Sequence, residues 1–312
     1  MRSPSIYLLM LLQTLHFRSA LALRMPLTRA FHHASTQSSP GFAPALKLHR
    51  VRDFQLRLSA VPPPEAEWSS CRVVRNVNDA KGLRAVDIEV SREIADQYLH
   101  PGQYVKVKAG EMKPSFFAIA SPPDSRGVFS FLVKEVEAND FILKAGEGDS
   151  VQLSAPMGKG FQINEYVNNY KKDFPVNAVV LLACGSGLAP IAAAIESQRL
   201  GLGGTVYESL FSRKATLYVG AKTPEHLPFR GKYAEWEKMG VKVVPVLSQP
   251  SDPLSAAWTG RTGYVQQALR DDGVPVPKNC VALLCGVRDM TDNVKDLLLE
   301  AGVFEGRILL NF

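Results

Sequence analysis

"VVLLACGSGLAPIAAAIES", residues 179–197, decides how this chain is read. The first six residues are an uninterrupted apolar run, as expected of a strand buried on both faces. The run stops at Gly185-Ser186-Gly187, and Leu188-Ala189-Pro190 leads into small and apolar residues patterned as a helix. Glycine admits positive φ and close backbone approach, and the first turn of a helix presents N–H groups and the positive end of a dipole. Pro190 suits that first turn, where its missing N–H is not needed. Such a turn is either a plain structural corner or a cradle for a phosphate. Its position favours the cradle, because the carboxyl end of the first strand of a parallel sheet is where dinucleotides bind.

Working outward, the chain changes grammar on either side of residue 176. Downstream, the apolar runs "AVVLLAC", "ATLYVGA", "VKVVPVL" and "CVALLCG" alternate with the helical stretches "IAAAIESQRL", "GKYAEWEKMG", "YVQQALRDDG" and "DMTDNVKDLLLEAG". That alternation predicts a doubly wound parallel α/β sheet. Upstream, "RAVDIEV", "QYVKVKA", "VFSFLVKEV" and "SVQLSAP" are short strands broken by Gly, Pro or Asp, which predict an antiparallel barrel or sandwich. The expected layout is a leader and proline-rich linker over 1–67, an all-β domain over 68–165 and an α/β domain over 175–312. No internal repeat interrupts it.

Of 312 residues, 46% are apolar and 21% charged, the balance of a globular protein. A net charge of +6 invites a nucleic-acid or membrane partner, but the charge is not where such a partner would need it. No acid precedes Asp53, while Arg2, Arg18, Arg24, Arg29, Lys47, Arg50 and Arg52 do, and this leaves −1 from residue 53 onward. Neither nucleic-acid binding nor a stable membrane span is therefore expected. The apolar core "IYLLMLLQTL" (6–15) is too short to span a bilayer and reads as a signal peptide; the acid-free Arg/Ser/His/Ala segment after it reads as a transit peptide. In tandem they resemble the bipartite presequence of proteins sent to a multi-membrane plastid, with "GFAP" (41–44) at its cleavage signal. A secretory signal followed by a basic linker is the alternative.

The four cysteines, Cys71, Cys184, Cys280 and Cys285, have neither zinc-site nor iron–sulfur spacing and make a poor disulfide framework. A reducing compartment and no metal are expected.

Taken together, these motifs resemble the ferredoxin–NADP reductase superfamily, nearest to the plastid fruit-protein type. Gly185 to Pro190 is similar to that family's GTGxAP turn, "HPGQYVKV" (100–107) to its PGQY strand and "FFAIASPP" (116–123) to its flavin strand. "APMGKGF" (155–161) resembles the segment closing the barrel, and Cys285-Gly286 the late Cys-Gly motif. The resemblance runs from Trp68 to the end of the chain. It implies an FAD-binding barrel, an NAD(P)-binding α/β domain, and hydride transfer from NAD(P)H to FAD with electrons passed to an acceptor the sequence does not name. Ferredoxin, an acidic protein, is not favoured by a body of this charge.

The same resemblance names candidate residues. Along the flavin strand these are Phe117, Ala118, Ile119, Ala120 and Ser121. The family's Arg-x-Tyr-Ser/Thr is Ser115, Phe116, Phe117 and Ala118 here, so an arginine for the FAD pyrophosphate is replaced and Lys113 stands two residues upstream. One lost charge-assisted contact is worth about 1.5–3 kcal/mol. Val133 and Lys134 lie beside the cofactor by the same comparison. Asn139 and Asp140 open the helix of the second phosphate grip, where Asn139 is a chemically suitable N-cap. Lys222 and Thr223, after the second α/β strand, stand where an acid would select NAD; they lean the choice between NAD and NADP toward NADPH. Cys285 would lie against the nicotinamide ring with Gly286 allowing close approach, and Phe312 would cover the flavin. For each, an ordinary packing or surface role is the alternative, and His226 reads as a turn residue. A dinucleotide- or flavin-sensing module without turnover, or an electron-transfer subunit of a larger complex, is the competing reading of the whole.

Overall fold

The computed structural model describes residues 68–125, 127–168, 174–203 and 213–311. All lie in one compact unit, Ala60–Phe312. The leader and the expected flavin cover, Phe312, fall outside the described residues.

The first half is a six-stranded sheet of β1 (Ser69–Ala80), β2 (Leu83–Glu89), β3 (Tyr104–Lys108), β4 (Ser115–Ala118), β5 (Val128–Lys134) and β6 (Ser150–Leu153), in the order β4-β3-β6-β1-β2-β5. Every pairing in it is antiparallel. Its two edges meet: Ile119 bridges Phe131, and the Ala120 N–H donates to the Ser130 carbonyl at 2.7 Å. That contact closes a barrel and removes the edges a sandwich would leave. Strand alternation fills the interior with Val73, Val86, Ile88, Val105, Val107, Phe129, Phe131 and Leu153. Two short helices, α1 (Arg92–Ala95) and α2 (Asp140–Leu143), lie between strands.

The second half carries β7 (Ala178–Cys184), α3 (Leu188–Glu196), β8 (Lys214–Ala221), α4 (Tyr233–Lys238), β9 (Val241–Leu247), β10 (Arg261–Thr262), α5 (Val265–Asp272), β11 (Cys280–Cys285), α6 (Arg288–Glu300) and β12 (Ile308–Leu310). Its sheet is parallel throughout, ordered β10-β9-β8-β7-β11-β12. The chain runs outward from β7 to β10, then returns to the other side of β7 as β11. The carboxyl ends of β7 and β11 therefore flank a topological switch point. Alternate residues of β7 face opposite layers. Val179, Leu181 and Ala183 pack with α3 and α4, and Val180 and Leu182 with α5 and α6. This is why the run is apolar without interruption.

The two halves share a core. Leu83, Ala120, Leu132, Phe161 and Ile163 of the first half cluster with Leu188, Ile191 and Cys285 of the second. Polar ties accompany it. The β1–β2 hairpin reaches the loop after β8, where the Phe229 N–H donates to Asp79 Oδ2 at 2.9 Å and the Lys81 N–H to the Glu225 carbonyl at 2.8 Å.

Candidate functional site

Residues 185–187 form a single 3-10 turn that leads into α3, whose first turn has no side-chain cap. The two glycines have different tasks. Gly185 has φ +56°, and a Cβ there would meet nothing within 4 Å. Gly187 is pressed against β11: a Cβ there would overlap the Cys285 carbonyl oxygen and lie 2.7 Å from its carbon. Leu188, Ala189 and Pro190 are buried and fasten the turn to the sheet, whereas Gly185 and Ser186 stay half-exposed. Of the six turn residues, then, Gly185 and Ser186 face outward, and the other four hold them in place.

Gly185 opens onto a cleft of about 750 Å³ along the carboxyl edge of the parallel sheet. Its floor and walls come from the ends of β7, β8, β9 and β11, with Gly185, Lys222, Ser248, Tyr264 and Val287 among them, while Lys81–Leu83 and Lys134–Val136 reach in from the barrel. An open glycine turn at an uncapped helix start, inside an elongated cleft at a switch point, fits the pyrophosphate of a dinucleotide.

Other expected residues sit differently. Lys222 lines this cleft and is exposed. Thr223 does not: it is fully buried, and its hydroxyl lies 2.8 Å from His226 Nδ1. His226 takes its place in the lining. Burial, followed by the charges of Lys81 and Lys222, holds the His226 pKa below the usual histidine value, against the opposite pull of Glu225 and Asp252. Lys81, Tyr264 and His226 carried no signal a linear reading would pick out. Lys81 reaches the cleft only because the barrel hairpin docks on a loop far along the chain.

Cys285 ends β11 with its side chain in the shared core, 7% exposed. Burial, then the neighbouring Cys184, push its thiol pKa up to about 12, only partly opposed by Lys134 and Asn311. The thiol is thus neutral and is no nucleophile. Cys184, although it acts on Cys285, packs with the layer on the opposite face of the sheet. At Gly286 a Cβ would lie 2.5 Å from Met290 Cε, the end of a flexible side chain that can shift, and 3.3 Å from the Cys184 Cβ and N, so the fit is tight there without demanding glycine.

The flavin-strand candidates are mostly internal. Phe117 is buried in the barrel against Phe131, ring centroids 6.1 Å apart, and Ile119 and Val133 share that core. The ring that faces out from β4 is Phe116, 60% exposed, beside Tyr104 at 5.9 Å and under Lys106 at 5.6 Å. Register explains this: Phe117 pairs with inward Val105, and Phe116 with outward Lys106. Ala118 is half-buried on the outer side, Ala120 lies in the shared core, and the buried Ser121 hydroxyl accepts from the Ser130 N–H at 3.2 Å. Ser115 donates to the Ala138 carbonyl at 3.2 Å, which brings β4 against the turn before α2. Asn139 stands at the N-cap position of α2 without capping it; its Nδ2 donates to the Lys134 carbonyl at 2.9 Å. Asp140 pairs with Lys144 at 2.6 Å, and Lys113 is exposed next to β4. Lys134 is exposed, lines the cleft and acts on Cys285, so it links the barrel to the end of β11.

Residues 181–296 match the family of oxidoreductase NAD-binding domains. The chain is 28% identical over 310 residues to the fruit protein pKIWI502 of Actinidia deliciosa, covering 95% of this chain and 89% of that protein. It is 27% identical to the phenol hydroxylase P5 protein of Acinetobacter pittii over 72% of this chain, and spans 59% of that relative's length. A ferredoxin NADP+ reductase from Neisseria gonorrhoeae, solved with bound FAD and NADP, has the same fold: TM-score 0.61, 17% identity, 79% of this chain and 98% of that one. The chain therefore has the two-part fold of a ferredoxin NADP+ reductase, and its residues 181–296 are an oxidoreductase NAD-binding domain. Every cleft-lining residue of its α/β half lies inside the matched NAD-binding segment, and the rest come from the barrel. Among the described residues no helix is long and apolar enough to cross a membrane, and no cluster of three metal-binding side chains occurs.

Proposed function

We propose that this chain transfers hydride from NAD(P)H to FAD and passes the electrons to a separate acceptor, with residues 68–165 binding FAD and 175–312 binding NAD(P)H. The observation that carries the reading is the Gly185 turn opening onto a cleft shared by barrel and sheet. Gly185, Ser186 and the start of α3 hold the pyrophosphate; Val287 and Tyr264 offer apolar surface to the rings. Flavin, when bound, supplies the redox chemistry, and the protein contributes position and exclusion of water.

On the barrel side, no arginine is present on β4, and Lys113 and the backbone around Ala138 are the groups near which an FAD phosphate can be held. The neutral, buried Cys285 adds shape rather than acid–base chemistry. Lys134 places a positive charge between the two cofactor regions, where it favours electron-rich reduced groups. Delivery to a plastid is supported by the sequence of the leader and by the Actinidia relative.

Adding NADPH without oxygen to the purified yellow protein tests the reading. Bleaching of the flavin bands is expected. A flavin-loaded protein that stays yellow with both NADPH and NADH would leave a non-catalytic sensing module as the better account.

A further inference from the structure

The β1–β2 hairpin is a barrel element, yet its tip is built into the far end of the nucleotide cleft. Lys81 and Gly82 line that cleft with Lys222, His226 and Ser248. The tip is held there by Asp79 Oδ2, which accepts from the Phe229 N–H at 2.9 Å, and by the Lys81 N–H bond to the Glu225 carbonyl at 2.8 Å. Lys222 follows β8 and Ser248 follows β9, so this end lies beyond the second strand, where doubly wound folds read the adenosine ribose. An acid at this point would suit a free ribose 2′-hydroxyl. Here two ammonium groups and an imidazole stand instead; of the two lining carboxylates, Asp289 belongs to the β11 side, across β7, and Glu135 adjoins the hairpin, its N–H donating to the Gly82 carbonyl at 3.0 Å.

We propose that Lys81 of the barrel, together with Lys222 and His226 of the α/β half, recognises the 2′-phosphate of NADPH. This rests on the cleft being the NAD(P)H site and adds that cofactor choice is made by both halves of the molecule. Lys81 Nζ lies 3.6 Å from Glu225 Oε2, with both side chains more than half exposed (56% and 51%). Such a pair is weak, and the ammonium keeps donors for a phosphate. The Thr223 hydroxyl beside His226 Nδ1 fixes the ring orientation. Because the hairpin is tied to the loop it helps to complete, 2′-phosphate binding would also tighten the seam between barrel and sheet.

Calorimetric titration of the full chain with 2′,5′-ADP and with 5′-AMP separates the possibilities. The wild type is expected to bind 2′,5′-ADP more tightly than 5′-AMP by at least about 10-fold. Lys81→Ala should weaken 2′,5′-ADP binding roughly 3- to 30-fold, leave 5′-AMP binding unchanged, and be largely rescued in Lys81→Arg. If Lys81→Ala binds 2′,5′-ADP as the wild type does while Lys222→Ala does not, the barrel has no part in the choice and the inference fails. Should the wild type bind 5′-AMP as tightly as 2′,5′-ADP, the inference fails while the cleft reading stands. If neither nucleotide binds, the cleft reading itself is wrong and the inference falls with it.

Discussion

Gly187 and Cys285 lie back to back: the α carbon that starts α3 rests on the carbonyl that ends β11, with no room for a methyl group between them. Parallel pairing of β11 with β7 holds Cys285 opposite Ala183, and Gly187 is tied to the end of β7 by the single 3-10 turn 185–187, so neither backbone has much room to retreat. Gly187→Ala is therefore a packing lesion. It should cost about 1–3 kcal/mol or more, and Gly187→Val more still. Thermal unfolding would show this as a clear drop in Tm, and an unchanged Tm would mean that the turn yields.

Gly185→Ala asks a different question. The site has open space but φ +56°, so the substitution carries a backbone cost of about 1–2 kcal/mol and puts a methyl into the cleft. The variant should fold, keep its flavin and lose affinity for NADPH. Wild-type nucleotide binding in a folded Gly185→Ala protein would remove this turn from the site.

The Cys285 thiol, with its pKa pushed up to about 12 by burial, should resist alkylation. At pH 8, iodoacetamide is expected to leave it unmodified in the folded protein and to label it after denaturation, as peptide mass spectrometry would report. Rapid labelling in the native state would mean that the end of β11 opens to solvent.

Asp79 holds the seam between the halves. Asp79→Ala leaves the N–H of the buried Phe229 without its acceptor, in a loop where Phe229 already has φ +54°. A loss of about 1–3 kcal/mol is expected in urea unfolding. Asp79→Asn keeps an acceptor oxygen and should recover most of it.

The pH dependence at His226 follows from its lowered pKa. The unfolded chain takes up the proton first as pH falls, so this residue makes stability decline from about the ordinary histidine pKa of 6.5 down to the folded value, below which its contribution is flat. In His226→Gln the stability curve between pH 8 and 5 should lose that component of the slope. A phosphate bound at this end of the cleft would raise the pKa and reverse the trend.

Much of this architecture is legible in the chain itself, because it depends on local pattern. The apolar run before Gly185 requires a strand buried on both faces, and the alternation in "QYVKVKA" a strand with one wet face; these became β7 and β3. Turn composition located the sharp corner after β7 for the same reason, since only glycine tolerates φ +56° at low cost. What local pattern cannot carry is which surfaces meet. Tertiary packing decided that Gly187 serves the sheet and Gly185 the cleft, that β3–β4 register turns Phe117 inward and Phe116 outward, and that Thr223 is spent on His226. It also decided that Lys81 joins a site built about 140 residues later in the chain. Each of these outcomes depends on side-chain direction across a long-range contact, and such a contact leaves no periodic trace in the segments it joins.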